Sequence, residues 1–471
     1  MKETSNSAHG GSVQLPVLDP KAGGIDVGSE KMFVSIGGQE PTVFGTCQAD
    51  LVQMRDYLLV QGVKSVVMEA TGVYWICAYE ILEEAALKVL VVNGAHVKNL
   101  PGRKSDMKDA PWLSQLHAHG LLRGGFVPPE EIRQLRDYVR LRGDWIEMGA
   151  AHVQHMQKAL ERLNLKIHDV ISSLTGVSGL RMIRAIVGGE RDREKLANMC
   201  DGQILHQKRD SLLKALEGNW KAQHLFALGQ ALQGWDFCQK QLVHCDQEIG
   251  KVLEQMARSR PQVAAQEGKN PESDDPAASP GSKPAKTKQK ELRHNAPTIL
   301  GDLHQLLERI CGGQDLAALP AINDYTWLQF LSEVGPDLSA WPTEKHFTAW
   351  LGLAPGTAQS GKRRRREKRY GGRAGQILRV AARSMARGKQ SWLGSFYRRL
   401  AATRGPKTAN KATARKLAQL IYWTLTKGLA YVEQGIKRYE ENYRKQLQKR
   451  LERQARRLGM VLLPMDLAPA H

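Results

Sequence analysis

Four carboxylates stand in the chain where their neighbours give them chemical meaning. Asp26 lies inside an apolar run between Ile25 and Val27, and Glu69 closes the run Val66-Val67-Met68 ahead of Ala-Thr-Gly. Asp106 and Asp109 follow in RKSDMKDA, a spacing that puts both on one face of a helix. An acid at the end of a buried strand costs desolvation free energy unless it is paired or binds a cation. Converging acids repel one another, and Mg²⁺ or Mn²⁺ relieves that repulsion through oxygen ligation. Ions held in this way can activate a nucleophile and stabilise the departing oxygen in phosphoryl transfer. Each acid also has a plainer reading: a strand Asp often serves a turn or edge, and an isolated DxxD is often a solvated helix face.

The second chemical signal is WLGLAPGTAQSGKRRRREKRYGGRAGQILRVAARS. Lys362, Arg363, Arg364, Arg365 and Arg366 are consecutive cations, and Lys368, Arg369 and Arg373 extend them. Gly371, Gly372 and Gly375 break the segment before a helix expected from near Gln376. A glycine-flanked cationic loop lets backbone N–H groups approach phosphates while arginine supplies two-pronged contacts. Ser360 stands at the mouth of that loop. Its hydroxyl could attack a phosphodiester if a base or metal activated it, whereas a Ser before Gly is also an ordinary turn pair.

The elements around these residues alternate. KAGGIDVGSEKMFVSIGG reads as a β-hairpin about a Gly-Ser turn, KSVVMEATG as a further strand, YWICAYEILEEAALK as a helix and KVLVVNGA as a fourth strand. The stretch between the hairpin and KSVVMEATG reads as polar and helical. Strands alternating with helices imply an α/β layer around a central sheet. After Phe126 the pattern becomes helical, opening with Pro-Pro-Glu-Glu and continuing to about Ala257. The expected organisation is a lead-in at 1–20, an α/β domain at 21–125, a helical, coiled-coil region at 126–257, a disordered linker or insertion at 258–297, a mainly helical domain at 298–435 and a basic helical tail at 436–471. LPAINDYTWLQFLSEVG has the outline of a helix-hairpin-helix with Ala321 and Asn323 in place of hairpin glycines, and plain helix packing is the favoured reading. Trp327, Phe330, Trp341, Phe347 and Trp350 fall in apolar spacing and are expected in the core.

Charge narrows the function. The 471 residues carry 68 Lys and Arg against 48 Asp and Glu, a formal net charge of +20. That excess attracts polyanions through counterion release and makes nucleic acid the expected partner. No stretch reaches the ~20 apolar residues needed to span a bilayer, no apolar leader core is evident, and a cytoplasmic, nucleoid-associated protein is expected. The six scattered cysteines form no CxxC pair and read as reduced thiols.

The order strand-Asp, strand-Glu, helix-AspxxAsp is that of a ribonuclease-H-like, RuvC-type nuclease fold. Together, GIDVGSEKMFVSI, VVMEATGVYW, RKSDMKDAPWLSQL, GVSGLRMIRAIVGGERD, FLSEVGPDLSAWPTEKHFTAWLGLAPG, QSGKRRRR and ATARKLAQLIYWTL closely resemble the DEDD-type insertion-sequence transposases, the one-ten family and its one-one-one-one branch. The resemblance spans residues from about 23 to 460. It implies a RuvC-like domain with its acidic, Mg²⁺-binding tetrad on Asp26, Glu69, Asp106 and Asp109, a coiled-coil middle, and a transposase domain with its active serine on Ser360. It further implies a phosphoserine link to DNA and tetramers built from dimers, the acids of one subunit meeting the serine of another. A structured guide (bridge) RNA pairing with donor and target DNA is implied as well. Two departures mark this chain: Ser360-Gly361-Lys362 replaces the usual Ser-Gly-Gly, and Pro111-Trp112 follows Asp109-Ala110, with Pro111 expected in a first helical turn. The alternatives are a RuvC-like hydrolytic nuclease that makes no serine adduct, and a non-catalytic nucleic-acid-binding protein.

Overall fold

The computed structural model describes residues 15–94, 106–260, 297, 302–355, 358–360, 363–365, 372–387 and 391–462. The chain divides into two compact units, Met1–Val127 and Pro128–His471. Most of the expected linker at 258–297 lies outside the described residues.

The first unit is a five-stranded sheet in the order β3-β2-β1-β4-β5. Its strands are β1 (Gly23–Val27), β2 (Met32–Ile36), β3 (Thr42–Phe44), β4 (Ser65–Glu69) and β5 (Lys88–Val92). β1, β2 and β3 pair antiparallel, while β4 and β5 run parallel to β1. The hairpin turn closes where Gly28 N–H donates to the Lys31 carbonyl at 3.1 Å. β3 was not foreseen: it is a three-residue edge strand with two exposed positions, too short to show an alternating pattern. Helices α1 (Gln48–Val60) and α2 (Trp75–Glu84) cover one face. Leu51, Met54 and Leu58 of α1 and Ala78, Ile81 and Leu82 of α2 meet Ile25, Val27, Met32, Val34, Val66 and Met68 in that core.

Alternate residues point to the opposite face of a strand, and there α3 (Asp106–Ala118) packs, with Leu113 against Val67 and Val92. Pro111 is the sixth residue of α3 and so lies past its first turn, contrary to expectation. It forgoes one backbone hydrogen bond in the helix interior, and tertiary packing of Ala110, Leu113 and Ser114, all buried, holds the helix regardless.

The second unit is helical. Two long helices, α4 (Glu130–Arg162) and α9 (Ala222–Arg258), pack along each other, and the short helices α5 (Ile167–Val170), α6 (Val177–Val187), α7 (Arg193–Ala197) and α8 (Gly202–Ala215) close a core with their ends. Where α4 and α9 meet, Arg142 and Asp246 form an ion pair, 2.5 Å from Nε to Oδ1, with both side chains at most 2% exposed. Burial opposes the charge, but the hydrogen bond and charge of Asp246 hold the Arg142 guanidinium above its ordinary range.

The remaining helices are α10 (Leu303–Ile310), α11 (Asp324–Val334), α12 (Glu344–Trp350), α13 (Arg373–Ser384), α14 (Trp392–Arg404), α15 (Pro406–Lys427) and α16 (Leu429–Arg457). α11 docks on α4 through its C-terminal end: Arg140 grips the Glu333 carboxylate with two 2.8 Å bonds, and Arg136 donates to the carbonyls of Ser332 and Glu333. Those cations satisfy backbone acceptors that a helix end leaves open. Trp327, Phe330, Trp341 and Phe347 are buried as expected; Trp350 is 36% exposed, its ring covered on one side by Trp341 and Phe347. The turn before α11 carries Ala321 at φ +62°, the left-handed region where a glycine would be unstrained. Among the described residues no helix is long and apolar enough to cross a membrane.

Candidate active site

The sheet places the first two acids side by side. β1 and β4 pair in parallel with Ile25 opposite Met68, so one step further along both strands Asp26 comes abreast of Glu69. Ile25 and Met68 face the α1–α2 core, so alternation turns Asp26 and Glu69 to the α3 face. Both carboxylates are half-buried, at the carboxyl ends of their strands. Gly94 adjoins Glu69 so closely that a Cβ there would overlap Oε1. The missing side chain makes room for the Glu69 carboxylate itself, which packs against this glycine.

The position of α3 follows from a second glycine. A Cβ on Gly24 would lie 2.3 Å from the Ser114 backbone nitrogen and 2.5 Å from the Ala110 carbonyl oxygen. Only a residue without Cβ allows this approach. Ser114 Oγ also donates to the Ala22 carbonyl at 2.8 Å and accepts from Gly38 N–H at 3.0 Å. The Ala118 carbonyl accepts from Leu18 and Asp19 N–H, Ser114 reaches Ala22, and Ala110 lies against Gly24, so α3 runs antiparallel to β1. Four helical residues rise about 6 Å and two strand residues about 6.6 Å. One more such step carries the helix back to Asp106 as the strand reaches Asp26. At its other end α3 is tied to the sheet by a 2.7 Å bond between His117 Nε2 and Ser65 Oγ. Burial lowers the His117 pKa, with the charge of Asp19 opposing and that of Lys88 adding.

Asp109 is half-buried on α3, and the side chain of Asp106 lies outside the described residues. Among the described residues no three His, Cys, Asp or Glu side chains form a metal-binding group. The strand pair and the helix register therefore carry the geometry, and the donors available there are carboxylate oxygens suited to Mg²⁺.

Ser360 belongs to the second unit. It ends β6 (Ala358–Ser360), which pairs antiparallel with β7 (Arg363–Arg365) so that Ser360 stands opposite Arg363. The expected cationic loop is therefore partly a strand, with Arg363, Arg364 and Arg365 in the ladder. Gly361 and Lys362 fill the two positions between the strands and, like Arg366, Lys368 and Arg369, lie outside the described residues. The excursion that carries the hairpin is anchored at both feet. α13 begins at Arg373, three residues earlier than expected, and a Cβ on Gly375 would lie 2.1 Å from the Leu351 carbonyl oxygen just after α12. Sequence reasoning named the glycines of this segment as breaks but missed the close-packing roles of Gly24, Gly94, Ser114 and Gly375. The Gly23-Gly24 pair inside a strand was the one available signal, since glycine there often marks a close approach.

One unit thus sets acids at the carboxyl ends of two central strands and the other carries Ser360 on a cationic hairpin, and two family comparisons place the chain among the transposases. Residues 23–165 match the DEDD transposase model of IS110 elements, described as a transposase, and residues 313–398 match the transposase family of IS116, IS110 and IS902. The chain belongs to the IS110 family of DEDD transposases. No curated protein matches it.

Proposed function

We propose that this transposase is a serine recombinase whose first unit is a RuvC-like, metal-binding domain and whose Ser360 is the nucleophile. The observation that carries the reading is the parallel register that sets Asp26 abreast of Glu69 with α3 running back toward them. Asp26, Glu69, Asp106 and Asp109 would hold Mg²⁺ or Mn²⁺ through their carboxylate oxygens. Bound there, the ion would polarise the scissile phosphate and stabilise charge on the departing oxygen. Ser360 Oγ forms a bond to phosphorus as the phosphodiester P–O bond to the leaving strand breaks. The hydroxyl proton passes to solvent, and the departing strand oxygen takes one up. Attack by a strand hydroxyl on the serine ester reverses these changes and rejoins DNA. Arg363, Arg364, Arg365 and Arg373, with Lys362, Arg366, Lys368 and Arg369, would bind the backbone phosphates around the serine.

Donor and target DNA are the substrates, and a guide RNA from the element is the further partner. A tetramer of two dimers, with the acids of one subunit meeting the serine of another, suits a chain that carries the two halves in separate units. The test is co-expression with the flanking element DNA, followed by a denaturing gel for a protein–DNA adduct. An adduct lost in both Ser360→Ala and Asp26→Ala is the expected result. Metal-dependent cleavage by wild type with no adduct would instead make water the nucleophile.

A further inference from the structure

The last helix presents a charged surface that the serine hairpin does not account for. α16 buries one side chain among its 29 residues, Val432, near its start. From Arg444 to Arg457 it carries seven cations against a single acid, Glu452. α14 lies beside it through an aromatic and cationic seam. The Trp392 and Tyr439 rings are 5.2 Å apart, Arg399 donates to the Tyr439 hydroxyl at 3.1 Å, and its guanidinium lies 4.7 Å from the centre of the Tyr443 ring. Past that seam a groove of about 650 Å³ opens, lined by Arg399, Lys449, Arg450, Arg453 and Arg457, with no Asp or Glu in its wall.

Four exposed cations elsewhere in this unit have acidic partners within the fold: Arg184 with Asp236, Arg209 with Glu194, Lys251 with Glu248 and Arg258 with Glu254. Among the described residues none of Lys449, Arg450, Arg453 and Arg457 has an acidic partner, and Arg453 Nε donates to the Lys449 carbonyl. Like charges four residues apart weaken a helix, yet Lys449, Arg453 and Arg457 repeat at that interval. Their spacing is about 6 Å along the axis. From Lys449 to Arg457 the stripe is about 12 Å long, the axial length of roughly three to four phosphates on one strand of a duplex. A groove whose wall carries five cations and no acid, beside the Tyr443 ring and Leu447, fits a polyanionic backbone.

We propose that the groove between α14 and α16 is a second nucleic-acid contact, which grips the phosphate backbone of a duplex apart from the cationic hairpin. The proposal rests on no part of the serine or metal reading, and its test requires no cleavage.

Full-length protein is titrated against labelled DNA and RNA duplexes of one sequence, with salt varied from about 50 to 200 mM. Three proteins are compared: wild type, the triple variant Lys449→Gln, Arg450→Gln, Arg453→Gln, and the charge-keeping variant Arg450→Lys, Arg453→Lys. The triple variant is expected to bind at least about tenfold more weakly and to lose about two to three units of the slope of log affinity against log salt. The charge-keeping variant should retain the slope. Loss with DNA alone, RNA alone or both assigns the strand type that the groove holds. An unchanged slope on both duplexes overturns the proposal. So does a slope lost in the charge-keeping variant, or a change of mass by light scattering with the slope intact, which would make the face a protein contact.

Discussion

Ser114 of α3 donates its hydroxyl hydrogen to the Ala22 carbonyl oxygen at 2.8 Å, bolting the helix to the residue just before β1. The Ser114 hydroxyl oxygen in turn accepts from Gly38 N–H, so one buried hydroxyl joins helix, strand entry and the turn after β2. Ser114→Ala leaves that N–H and the carbonyl without this partner. A loss of about 1–3 kcal/mol is expected, read by chemical denaturation. DNA cleavage should fall further than stability explains, because α3 also carries Asp106 and Asp109.

Gly24→Ala tests the same docking from the strand. The added methyl would meet the backbone of α3 rather than a flexible side chain, so the helix itself must move. The expected outcome is a folded protein with weakened metal-dependent cleavage. Restoration of activity by raised Mg²⁺ would trace the loss to displaced ligands; a wild-type metal titration would argue against this role for the glycine.

The Arg142–Asp246 pair predicts an asymmetric mutational pattern. Asp246→Leu strands a buried guanidinium and should cost about 3–5 kcal/mol, whereas Arg142→Met with Asp246→Leu removes both charges and should recover most of that loss. Thermal unfolding of the two variants separates these outcomes. Equal destabilisation would mean that the pair contributes packing alone.

Two histidines should respond to pH in opposite directions. Burial lowers the folded pKa of His117, so its contribution is present above the unfolded value of about 6.5 and is lost as pH falls through the folded value. The hydrogen bond to Asp324 raises the folded pKa of His304, so its contribution is full below about 6.5 and is lost as pH rises through the folded value. Denaturation curves of His117→Gln and His304→Gln across this range check both signs. In the first variant the wild-type advantage should shrink toward acid, and in the second toward neutral and alkaline pH.

Ala321→Gly relieves the left-handed backbone at φ +62° and should leave stability unchanged or raised by up to about 1 kcal/mol. A loss beyond that would show that the methyl group packs.

The strands of the first unit were legible because Ile25, Val27, Val34, Val66 and Met68 fall in apolar runs bounded by turn residues. Asp26 and Glu69 stood out as carboxylates set against such runs. The three-residue β3 was not legible, for it has no period to read. Neither was the strand within the arginine run, where the residue types advertise phosphate binding and say little about backbone conformation. Pro111 misled because α3 already includes Asp106, five residues before it.

By itself, then, the sequence determined the inventory: the acids, the serine, the cation run, the alternation of elements and the net charge of +20. These are properties of residue type and short-range order, which every conformation of the chain shares. The tertiary structure decided which of them meet. That Asp26 lies beside Glu69 depends on parallel pairing of strands about 40 residues apart in the chain. That α3 reaches the same edge depends on a glycine with no Cβ to hold it off. The acid-free groove depends on α14 folding back against α16. Each is a contact between distant segments, whose free energy depends on shape and burial that local sequence does not encode.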